Sequence, residues 1–119
     1  MDMVDVQNYF DYSLDLYNQG FYWEVHEIVE RLWNFHHRGE TPEGLFFQGF
    51  IFLAILQLKR SSGQNLSASF LIKTQCRILN IKEMLVLGVS GQSLWESLEA
   101  FCRKEVDARP IFKVDRFGG

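Results

Sequence analysis

Between Leu45 and Leu58 the chain runs Leu-Phe-Phe-Gln-Gly-Phe-Ile-Phe-Leu-Ala-Ile-Leu-Gln-Leu. Wound at 3.6 residues per turn, such a run is apolar on every side. A helix of that kind either crosses a membrane or forms the middle of a bundle. The run is shorter than the ~20 residues a span needs, and it contains Gln48 and Gln57. The expectation is therefore a buried central helix. Gly49 would cost that helix about 0.5–1 kcal/mol relative to alanine. The cost is understandable where another helix crosses close to it.

The other segments read as helices packed around this one. From Val4 to Asn18 the apolar positions Val6, Phe10, Leu14 and Tyr17 recur at helical spacing. Asp2 and Asp5 sit at the amino end, where the helix dipole favours negative charge. Gly20 can adopt the left-handed conformation that stops a helix, so a tight helical hairpin should follow. The spacing predicts a second helix from Tyr22 to about His36-His37-Arg38, and a fourth from Leu66 to Leu87. On the fourth, Leu66, Phe70, Thr74, Ile78, Ile81 and Leu85 share a side. Ser93 and Glu96 form a capping-box pattern opening a last helix, with Leu94, Trp95, Leu98, Phe101 and Cys102 facing inward. After Pro110 the helical period is lost, and residues 110–119 are expected to lie extended. The chain thus reads as one all-α domain over 1–119, a bundle of about five helices with Leu45–Leu58 central.

The second helix is the least generic. Tyr22, Val25, Ile28, Val29, Leu32 and Trp33 fall on one broad arc, and Glu24, Glu27, Arg31 and Asn34 on the other. His26 and Glu30 are four residues apart, hence neighbours on the flank of the apolar arc. Glu27 points further towards solvent. A partly buried imidazole and carboxylate need hydrogen-bond partners, and Gln48 on the central helix is placed to complete such a cluster.

Charge and cysteine content narrow the classes of function. The formal charge of −3 comes with no basic stripe, only the isolated pairs Lys59-Arg60 and Arg103-Lys104. A nucleic-acid surface would show one. Cys76 and Cys102, in a chain without a secretory pattern at Met1–Asp5, read as buried reduced thiols of a cytoplasmic protein. No phosphate-binding glycine loop occurs, and neither cysteine has a histidine beside it in sequence.

The segment Asn18-Gln19-Gly20-Phe21-Tyr22-Trp23-Glu24-Val25-His26-Glu27-Ile28-Val29-Glu30-Arg31-Leu32-Trp33, followed by Phe47-Gln48-Gly49-Phe50-Ile51 and Leu53-Ala54, then Gly63 and Ala68, resembles a known family. That family is the small helical bacterial and archaeal group called domain of unknown function 309. Its pattern is a glycine-started helix carrying His-Glu-x-x-Glu-x-x-Trp, then a hydrophobic helix beginning Gln-Gly. The likeness extends over about 16–79. It implies an all-α bundle and no particular activity. Its signature positions fall on His26, Glu27, Glu30, Trp33, Gln48 and Gly49. Polar residues common in the family are replaced here by Phe52, Leu58 and Lys59, and Gln64 stands where asparagine is common.

His26-Glu27-x-x-Glu30 invites comparison with the zinc-protease motif His-Glu-x-x-His. Glu30 replaces the second histidine, and His36 and His37 lie ~15 Å further along the helix axis. A metal held by His26 and Glu30, giving a hydrolase-like site with Glu27, is one reading. A small-ligand pocket lined by Trp23, Trp33 and Gly49 around His26, Glu30 and Gln48 is another. The favoured reading is a non-enzymatic module without cofactor, binding a protein partner or a second copy around a buried His26–Glu30–Gln48 cluster.

Overall fold

The computed structural model describes residues 2–36 and 40–103. The first helix, α1 (Met3–Gln19), is capped by Asp2, whose side chain accepts from the Asp5 amide at 2.9 Å. Val6, Phe10, Leu14 and Tyr17 are all buried. Gly20 closes α1 with φ 89°, and its N–H reaches the Leu16 and Tyr17 carbonyls. The turn is immediate: α2 (Tyr22–Phe35) starts two residues later and folds back against α1. Tyr22, Val25, Val29 and Leu32 form its buried face, while Ile28 and Trp33 are half-buried at its edges.

Helix α3 (Pro42–Ser61) extends the expected run at both ends. Thr41 caps it by accepting from the Gly44 amide at 3.0 Å, and Pro42 occupies the first turn, where its missing N–H costs nothing. Phe46, Phe47, Phe50, Leu53 and Leu56 are fully buried. Helices α2, α4 (Ala68–Ile81) and α5 (Gly91–Cys102) all pack on α3. Phe10 of α1 joins the same core, with ring centroids 5.7–6.3 Å from Phe46, Phe47 and Phe50. Gly49 lies where α4 crosses: a Cβ there would sit 2.8 Å from Ile81 Cδ1 and 3.5 Å from Ile78 Cγ1. Among the described residues no helix is long and apolar enough to cross a membrane.

Three expectations are corrected. Helix α4 ends at Ile81 rather than Leu87, and a small antiparallel hairpin follows, β1 (Leu85–Val86) and β2 (Val89–Ser90). Its two-residue turn takes Leu87 to φ 52° and Gly88 to φ 85°, the pair of positive φ values a type I′ hairpin turn demands. The reason is burial. Reversing the chain puts Val86 and Val89 opposite each other in the core and leaves Leu85, expected inside, 65% exposed.

The cap of α5 is Ser90, not Ser93, because the hairpin delivers the chain three residues earlier. The Ser90 hydroxyl accepts from the Ser93 amide at 3.4 Å. Cys76 and Cys102 are both exposed and unpaired, against the expectation of buried thiols and of an inward Cys102. The predicted extended tail at 110–119, together with His37 and Arg38, lies outside the described residues.

Candidate functional site

Helix α2 presents a stripe at steps of three and four residues: Trp23, His26, Glu30 and Trp33. The imidazole and carboxylate meet, with His26 Nε2 3.2 Å from Glu30 Oε2. The His26 side chain is 22% exposed and that of Glu30 46%, so the pair sits at the protein's edge rather than inside it. The Trp23 ring lies over His26, centroids 5.4 Å apart and tilted by 32°, and Trp23 itself is 54% exposed. Glu27 is exposed, on the solvent side of the helix.

Gln48 is half-buried on α3. It makes no hydrogen bond to His26 or Glu30 among those between described residues, so the expected three-membered cluster reduces to the His26–Glu30 pair. Gln48 instead shares a shallow groove of about 230 Å³ with Glu30, Trp33, Ile51 and Phe52. Gly49 faces α4, not this groove.

Among the described residues, three ring nitrogens in this part of the fold are buried without a hydrogen-bond partner: His26 Nδ1, Trp33 Nε1 and His36 Nε2. Nδ1 of His26 accepts when the ring carries its one proton on Nε2 and donates when both nitrogens are protonated. Trp33 Nε1–H is a donor. The stripe therefore holds two unmet ring nitrogens, each costing about 1–3 kcal/mol if left so. The His36 ring is packed between Phe35 and Phe47, with ring centroids 5.2 and 5.4 Å away.

Two donors, His26 and Glu30, do not make a metal centre, which needs at least three protein ligands. Among the described residues no three His, Cys, Asp or Glu side chains converge into a group that could hold an ion.

A second polar assembly was not anticipated. Gln57, counted in the sequence only as evidence against a membrane span, is buried at the α1–α3–α5 junction. Its Nε2 donates to the Tyr17 hydroxyl at 3.1 Å, and its Oε1 accepts from Arg60 Nη2 at 3.2 Å. Ser97 is the other hydrogen-bond neighbour of the phenol, and it donates onward to the Ser93 carbonyl at 3.0 Å. Arg60 Nη1 also donates to the Phe101 carbonyl at 3.1 Å. Burial, the largest influence, pushes the Tyr17 phenol well above the usual tyrosine range, and the Gln57 hydrogen bond offsets only part of it. The signal was present in the sequence: an amide inside an all-apolar run must find a partner, and a tyrosine on a buried stripe must too.

No curated protein matches the chain, and no solved structure does. One family model matches, that of Domain of unknown function (DUF309), over residues 10–70. That span takes in α1 from Phe10 onward and the whole of α2 and α3, and with them His26, Glu27, Glu30, Trp33, Gln48 and Gly49. With the matched region covering more than half of its length, the chain belongs to the DUF309 family.

Proposed function

We propose that this chain is a non-catalytic protein-binding module whose working surface is the α2 stripe and the groove beside it. The observation that carries this reading is an exposed tryptophan, Trp23, lying over His26 beside the half-exposed Glu30 carboxylate and the groove lined by Trp33, Ile51 and Phe52. Tryptophan is enriched among residues that anchor interfaces.

The first occupant is a second copy. The stripe offers a donor (the indole N–H of the exposed Trp23) together with an acceptor (the half-exposed Glu30 carboxylate). Such a surface is complementary to itself under two-fold symmetry. The two exposed, unpaired thiols support a reducing compartment, hence a cytoplasmic setting.

Light scattering on the eluting protein across a concentration series tests this. The mass is expected to double between the micromolar and millimolar ends, and Trp23→Asp should hold it at the monomer. Trp23 is exposed, so that substitution leaves the core intact. A monomer at every concentration would remove the second copy as occupant.

A further inference from the structure

A concavity larger than the groove beside the α2 stripe is found elsewhere in the fold. It lies at the end of the bundle where the α1–α2 turn, the last turn of α3, the start of α4 and the end of α5 come together, and it measures about 770 Å³. That is within the range of small-molecule sites.

Arg60 stands in its wall. Its guanidinium is fixed on three sides: Nη2 to Gln57 Oε1, Nη1 to the Phe101 carbonyl, and Cζ over the Phe101 ring at 4.2 Å from its centroid. Gln57 is itself held by the Tyr17 hydroxyl in the interior. A guanidinium carries five N–H donors, and these two bonds leave three. Among the described residues no carboxylate pairs with Arg60, and no Asp or Glu lines the cleft. Leu66, Leu71, Tyr22 and Phe101 supply an apolar wall, and Gln64 and Asn65 polar edges.

An arginine serving only to complement the α3 dipole needs none of this support, because exposed cations near a helix end suffice. A pre-aimed planar fork beside an apolar wall is instead suited to bidentate recognition of a carboxylate. We propose that this cleft binds a small organic carboxylate with an apolar body. Arg60 takes the carboxylate, Leu66, Leu71 and Phe101 hold the body, and Gln57 positions Arg60. The site is separate from the α2 stripe and does not depend on the reading given for it.

Titration of the full chain with naphthoate, and with its uncharged analogue naphthamide, tests the proposal by amide NMR. Naphthoate should give saturable shifts at Arg60, Gln64 and Leu71, with naphthamide at least about tenfold weaker, a difference of about 1.4 kcal/mol. Arg60→Gln should weaken naphthoate by at least as much, with Arg60→Lys between. Tyr12→Ser, at an exposed position of α1 outside both surfaces, should leave binding unchanged. The proposal is overturned by an absence of saturable shifts, by equal affinity for acid and amide, or by shifts that map to the α2 stripe. The acid–amide comparison needs only the wild type, so it stands even if an Arg60 variant does not fold.

Discussion

Alanine at position 91 is expected to cost more than about 3 kcal/mol, beyond the usual range for overpacking a core. Gly91 is the first residue of α5, buried where the hairpin hands the chain to the helix. Its N–H donates to the Met84 carbonyl at 2.8 Å. A Cβ there would fall inside the Ile81 carbonyl group and 2.9 Å from Lys82 Cα. Both are backbone atoms of the α4 terminus, so no side-chain rotation relieves the overlap. Either α5 leaves its seat on α4 or the hairpin opens.

Gly49 provides the internal contrast. There the obstructing atom is the far end of the Ile81 side chain, which can move. Gly49→Ala should be close to neutral, because strain is offset by the about 0.5–1 kcal/mol that alanine gains over glycine in a helix. Urea unfolding of both variants, followed by circular dichroism, decides the point. Equal midpoints for the two would mean that the α4–α5 junction is not as close as described.

Tyr17→Phe is expected to show a pH signature as well as a cost. Near neutrality it strands Gln57 Nε2 in the interior and should destabilise by about 1–3 kcal/mol. The native phenol has its pKa raised by burial, whereas the unfolded chain releases that proton near pH 10. Above that pH the native state binds more protons than the unfolded state, so stability falls as pH rises. The protein should therefore lose stability through the alkaline range, and the phenylalanine variant should lose less. The gap between them, widest below pH about 9, should narrow as the solution becomes more alkaline. Denaturant midpoints across that range measure it. Parallel curves would place Tyr17 in contact with solvent.

What could be read from the sequence, and what could not, follows the range of the interactions. The α1 stripe, the Gly20 stop and the buried α3 rod are set by local spacing and by one residue's conformational freedom. Gly49 was legible because a costly glycine in a rich apolar run implies a neighbour. The hairpin at Leu85–Ser90 was not. Its strands are two residues long, too short to show a period of two, and no glycine or proline stands between α4 and the apolar run Met84 to Leu87. Once the hairpin was missed, the Ser93 cap followed, since Ser90 and Ser93 differ only in which the fold reaches first.

At the α2 stripe the local pair His26–Glu30 could be read from its spacing of four. Whether Gln48 joined it depended on the rotation of α3 about its own axis. An all-apolar helix carries no polar face from which that rotation could be inferred. The same ambiguity hid the Tyr17–Gln57 contact, forty residues apart in sequence.

The edge of α2 is an unfinished interface that a second copy completes. It is tested by the indole ¹H–¹⁵N resonance of the exposed Trp23, followed by NMR as the protein is concentrated. Trp23 Nε1–H is expected to move downfield as it acquires an acceptor, while the indole of Trp95, on α5 beneath the Lys82 ammonium, stays fixed. A Trp23 resonance that does not change over the whole series would contradict a second copy at this edge.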